Sequence, residues 1–292
     1  MCFKKLNKSS IIITTFFLLA VTIISVCLAF TLREKKDKAT HILLEQQDWI
    51  HGAADCNTQS DPAIQALLID TGATEDETKF PLFDTIVNLL NFETHIQFPL
   101  IVAHSHSHAD HFAADSQFRG KTNISVVGLG VEDVSTFFNI TQWPDGLASL
   151  DLGDRIINIF AIPGHQIAST AFYDNASKLL VTGDTFYPGR IYVFEWETFK
   201  QSVQKLYNFA LQHDVSYIVG THIEMTLTSG VDYPVGATYQ PDEQKLPLTV
   251  EELGTLNNAL QKTSKIPERI VLDKFIVVPM SNLSSDFVVG TM

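Results

Sequence analysis

An α/β layered domain behind an N-terminal membrane span is the fold class this sequence predicts, and three observations predict it. From about residue 63 onward, short apolar runs bounded by turn residues alternate with segments of helical spacing, the pattern of strands mixed with helices. With 292 residues, 45% of them hydrophobic and 18% charged, the chain has the length and apolar content for one large core and not for disorder. Ile11 through Phe30 is an uncharged, mostly apolar run, long enough at helical rise to cross a bilayer.

Four segments follow from this: a short basic N-terminus (1–10), a transmembrane signal anchor (11–30), a linker (31–62) and one domain (63–292). Lys4, Lys5 and Lys8 precede the apolar run. The run is longer than most signal-peptide cores and no small-x-small cleavage site follows it, so an uncleaved, single-pass anchor is expected. Arg33, Lys35, Lys36 and Lys38 follow the span and leave the positive-inside count nearly tied. Asn123, Asn139, Asn175 and Asn282 each open an N-x-Ser/Thr sequon, which suits an extracytoplasmic domain (lumenal, extracellular or periplasmic).

Within the domain, Ala66 to Ile69 reads as a buried strand ending in Asp70-Thr71-Gly72. Phe80 to Leu90 has helical spacing, with Phe83, Ile86, Val87 and Leu90 on one face. Pro99 to Ala103 is the strand that delivers a histidine-rich stretch. Ser125 to Leu129, Arg155 to Ile162, Thr170 to Tyr173, Leu179 to Thr182 and Ser216 to Val219 are further strands. Phe199 to Gln212 and Val250 to Gln261 read as helices, and Ile270 to Val278 as a last strand. Residues 40–65 show no strand pattern. Gly128-Leu129-Gly130 lacks the rest of a dinucleotide fingerprint and reads as a strand-to-turn junction.

Charge and cysteine content exclude several functions. The net charge is -13, and residues 39–292 alone hold 31 acidic against 13 basic side chains. A domain that acidic repels phosphate backbones, so no nucleic-acid partner is expected. Cys2 and Cys27 belong to the N-terminal segment, which leaves Cys56 alone in the rest. No thiolate cluster can form there, and any metal site must use His, Asp and Glu.

Four of the ten histidines fall within eight residues, in His104-Ser105-His106-Ser107-His108-Ala109-Asp110-His111. The stretch directly follows an apolar strand, where binding loops are placed. Neutral imidazole is the commonest metal ligand, and a carboxylate completes or bridges a site. His106 and His108 alternate at the strand end and point toward one ion, while Asp110 and His111 can face a second.

The stretch His106-x-His108-x-Asp110-His111 resembles the signature of the metallo-β-lactamase superfamily. His165 in Pro163-Gly164-His165, Asp184 in Thr182-Gly183-Asp184-Thr185 and His222 in Gly220-Thr221-His222 follow in that family's order. Asp70-Thr71-Gly72 is similar to its early strand-end motif. The resemblance implies a four-layer αββα sandwich with metals at one edge between two sheets, and two strands before the Asp-Thr-Gly strand. It implies a first ion on His106, His108 and His165, a second on Asp110, His111 and His222, and Asp184 bridging both. His104 is then expected to support the ligands without binding metal.

The chemistry implied is hydrolysis of an ester, thioester or lactone, with an amide less favoured, in a small-molecule substrate. Two zinc ions per chain, with iron or manganese as alternatives, would lie about 3.5–4 Å apart and hold the attacking hydroxide. Asp110 and Tyr187 are the catalytic candidates. Tyr187 resembles a lactonase tyrosine that donates a hydrogen bond to the developing oxyanion. An Asp at 184, where common β-lactamases have Cys, looks more like glyoxalase II and lactonases. Two alternatives are a mononuclear iron oxidoreductase of the same fold that acts on persulfides, and a metal-binding protein without catalysis. The oligomeric state leaves no mark in the sequence.

Overall fold

The structure, a computed structural model, describes residues 11–14, 65–89, 99–153 and 155–280. Four parallel strands form the first sheet, in the order β1 (Ile11–Thr14), β2 (Ala66–Ile69), β3 (Leu100–Ala103) and β4 (Ile124–Val126). A second sheet of five runs β10 (Tyr217–Gly220), β8 (Leu179–Gly183), β7 (Thr170–Asp174), β6 (Ile156–Ala161) and β5 (Leu147–Asp151). In it β10 is parallel to β8 and the remaining pairs are antiparallel. A three-stranded sheet adds β9 (Arg190–Val193), β11 (Ile270–Val271) and β12 (Ile276–Pro279).

The side-chain period of two explains the layering. In β2, Leu67 and Ile69 face the second sheet, where Ile157, Ile159, Phe172 and Val181 meet them. Ala66 and Leu68 face the other way, onto Leu82, Ile86 and Val87 of helix α1 (Leu82–Leu89). Burial on both faces is why β2 and β3 read as unbroken apolar runs. The outer face of the second sheet is covered by helices α4 (Trp196–Gln212) and α5 (Val250–Gln261), through Phe199, Val203, Leu206, Leu253 and Leu256. Helix, sheet, sheet, helix is the expected four-layer order. The short helices α2 (Ala109–Phe112) and α3 (Val131–Phe138) lie between β3 and β5 in the chain.

Two expectations need correction, and four elements had none. The strand expected over Ile270 to Val278 is a hairpin, because Leu272 N donates to Phe275 O (3.0 Å) and closes a turn between β11 and β12. The elements α2, α3, β5 and β9 carry no expectation from the sequence. Ile11–Thr14 is strand β1 rather than the start of a helix, and its backbone pairs with all of β2. The rest of the expected membrane span (15–30), the linker and Asn282 lie outside the described residues. Among the described residues no helix is long and apolar enough to cross a membrane.

Candidate metal centre

Strands β2 and β3 run parallel in the first sheet, β6, β8 and β10 share one direction in the second, and each ends where a functional side chain begins. Asp70 follows β2, and His106 and His108 follow β3. Asp110 and His111 lie on α2, and His165, Asp184 and His222 come after β6, β8 and β10. The seven residues expected to bind metal gather there in two groups: His106, His108, His165 and Asp184, and Asp110, His111 and His222.

In the first group, His108 Nδ1 lies 3.0 Å from His106 Nε2 and 3.0 Å from His165 Nε2. Tetrahedral zinc ligands at about 2.0–2.1 Å stand about 3.3 Å apart, so an ion fits between these nitrogens. Asp184 Oδ2 is 3.5 Å from His165 Nε2 and 3.8 Å from His106 Nε2. The same carboxylate reaches the second group, 3.3 Å from His222 Nε2 and, through Oδ1, 3.6 Å from His111 Nε2. Asp110 Oδ2 stands 3.5 Å from both of those nitrogens. His111 Nε2 is buried without a hydrogen-bond partner, although burying such an atom is costly. A cation there would satisfy it, so the donor set fits a metal pair.

Neighbouring groups set the tautomers. His165 Nδ1 donates to the Tyr192 carbonyl (2.8 Å), which frees Nε2 as a ligand. His111 Nδ1 donates to Asp70 Oδ2 (3.0 Å), with the same result. Asp70 also accepts from Ser105 N and Ser105 Oγ, both at 2.7 Å, and Ser105 Oγ lies 3.1 Å from His106 Nδ1. Thr221 Oγ1 donates to Asp184 Oδ1.

Burial holds His106 well below the ordinary histidine range and His165 at about 4, so both rings are neutral ligands at neutral pH. For His222, burial is outweighed by the Asp184 and Asp110 carboxylates, which raise it to about 9. His111 is raised too, with burial opposed by Asp110, Asp184 and Asp70. Burial alone would raise Asp184, yet His222 and His111 hold it well below the carboxylate range.

His104 stays outside the cluster, as expected: its Nε2 contacts Asp115 Oδ1 at 2.9 Å. Asp115 also accepts from Thr71 Oγ1 (3.0 Å) and Arg119 Nη2 (2.9 Å). Sequence reasoning missed Asp115, whose one local signal is the i,i+4 spacing to Arg119. Tyr187 is buried beside the site, its ring edge-on to His222 at 5.4 Å between centroids. Its hydroxyl donates to the Arg190 carbonyl. Phe194 packs against His108 and His165, while Phe186 and Trp196 belong to the core.

The solved ETHE1 from Myxococcus xanthus is 18% identical, with a TM-score of 0.43 over 71% of this chain and 79% of that one. A metallo-beta-lactamase from Pontibacter korlensis is 16% identical, with a TM-score of 0.43 over 70% and 85%. A hydroxyacylglutathione hydrolase from Mesorhizobium japonicum is 27% identical over 111 residues, which span 37% of this chain and 43% of that enzyme. The family description of the metallo-beta-lactamase superfamily matches residues 65–222, more than half of the sequence and all seven residues of the two groups, and the chain belongs to that superfamily.

Proposed function

We propose that this protein is a hydrolase of a small ester, thioester or lactone that works with two divalent metal ions, zinc by preference. The observation that carries the reading is the Asp184 carboxylate, which stands between two complete sets of ligand atoms. A bound pair of ions supplies Lewis acidity for a carbonyl oxygen and nucleophilic water at neutral pH. The name of the Mesorhizobium relative, a hydrolase of acylated glutathione, supports the substrate class.

The chain's own residues orient and balance charge. His106 and His165 present neutral nitrogens, with His108 Nδ1 beside both. Asp184 and Asp110 offset the positive charge of the ions, and Asp70 fixes the His111 ring. Asp110 keeps 28% of its side chain exposed against 8% for Asp184, so it is the more open carboxylate of the two. The reading gives Tyr187 a positioning role: its hydroxyl is engaged by the Arg190 carbonyl, and its ring backs His222. An extracytoplasmic location belongs to the same proposal, supported by the lysines before the apolar run and by the exposed sequons at Asn123 and Asn139.

Elemental analysis of the purified chain, paired with an ester, thioester and lactone screen, tests it. Two zinc ions per chain, with turnover that disappears in Asp184→Ala, is the expected result. A single iron per chain would move the assignment to the oxidoreductase of the same fold, against which the intact Asp110, His111 and His222 set now weighs.

A further inference from the structure

His222 differs from the other histidine ligands. Its side chain is 17% exposed where His106, His111 and His165 are 1–2% exposed, and it sits on the irregular segment that follows β10. What holds that segment is a fork of hydrogen bonds around Arg190, at the start of β9. The carboxylate of Glu224, two residues beyond His222, accepts from Arg190 twice: Oε2 from the backbone N (2.7 Å) and Oε1 from Nη2 (2.7 Å). Glu224 N donates to the Pro188 carbonyl (2.8 Å), and Glu224 O accepts from Tyr233 N (2.8 Å). Arg190 Nη1 reaches onward to Asp232 Oδ2 (2.8 Å) and the Tyr233 carbonyl (2.6 Å). The Arg190 carbonyl takes the hydroxyl of Tyr187, the ring that backs His222. The pair therefore grips His222 from both sides, along the chain through Glu224 and across space through Tyr187.

We propose that Arg190 and Glu224 are positioning residues for the second metal position, holding the His222 ring against Asp184 and Asp110 without touching metal or substrate. This rests on the two-ion reading of the site. The first position meets the pair only at one remove, through Tyr192, whose hydroxyl accepts from Arg190 Nε (3.0 Å) and whose carbonyl takes His165 Nδ1 (2.8 Å); its residues otherwise come from the ends of β3, β6 and β8. Loss of the pair therefore acts mainly on the second position. An ammonium has no planar fork and cannot reproduce both the Glu224 and the Tyr233 contacts, so lysine at 190 is an incomplete replacement.

The test is zinc titration of the metal-free full-length chain, wild type against Glu224→Gln, Arg190→Gln and Arg190→Lys, with a chromophoric chelator as competitor. The first equivalent is expected to bind as in wild type. The second is expected about 10–100-fold weaker in Glu224→Gln and Arg190→Gln, with partial recovery in Arg190→Lys. Equal weakening of both equivalents would reduce the pair to general structural support, and an unchanged second equivalent would also overturn the proposal. The carbon-edited ring signal of His222 in the metal-free protein reads the pair independently of zinc. It should broaden or shift in Glu224→Gln, and an unchanged signal counts against the proposal. Wild type that takes up only one equivalent would sink the two-ion reading, while the His222 signal still decides the role of the pair.

Discussion

Asp184 joins the two halves of the metal centre, so its removal should act on both, whereas each histidine acts on one. Asp184→Ala is expected to lose both zinc ions. His165→Ala should lose the first and His222→Ala the second, all read by metal content after dialysis against chelator. Acidity should act unevenly as well. In the metal-free protein the carboxylates keep a proton on His222 up to about pH 9, while burial keeps His165 neutral down to about 4. A ligand must shed its proton before it binds metal. Affinity for the second ion should therefore rise as pH is raised from 6 toward about 9, with protons released on binding, while affinity for the first ion changes little over that range. Competition titrations at several pH values check this, and a pH-independent second equivalent would contradict it. The gathering of these seven residues was legible in the sequence because metal chemistry favours few residue types and four of them fall in one short stretch. Their supports were not: Asp70 finds His111 41 residues away, and Arg190 finds Glu224 34 residues away. Nothing local marks such pairs.

At the scale of elements, what could be read was decided by burial. Strands covered on both faces, such as β2, β3 and β8, stand out as apolar runs. β5 escaped notice because its burial alternates weakly at a sheet edge, and the eight-residue helix α3 buries only Val134 and Phe138. The junction between β8 and Asp184 shows how tightly an element end sets the site. Gly183 has φ +52°, and a Cβ there would fall 2.6 Å from Ser105 Cβ, against the side chain that contacts His106 and Asp70. Gly183→Ala should cost about 1–3 kcal/mol from the backbone conformation and the collision together. It should also displace Ser105 and weaken metal binding. Thermal melts with and without zinc separate the two effects, and a variant of wild-type stability and loading would show that the loop yields easily.

For the whole molecule, the open question of the sequence was what precedes β2, since residues 40–65 showed no strand pattern while the fold called for strands there. The structure answers from farther upstream: Ile11–Thr14 lies parallel to β2 in full register, from Ile11 opposite Ala66 to Thr14 opposite Ile69. The consequence is measurable in a chain that starts at residue 40. Without β1, the backbone edge of β2 is unpaired, a template for pairing with other chains. At about 1 kcal/mol for each ladder hydrogen bond, the loss is about 2–4 kcal/mol. The shortened chain should melt well below the full-length protein in the same detergent-containing buffer and associate at concentrations where the full-length chain stays monodisperse. Equal melting temperatures would mean that β1 contributes nothing to the sheet.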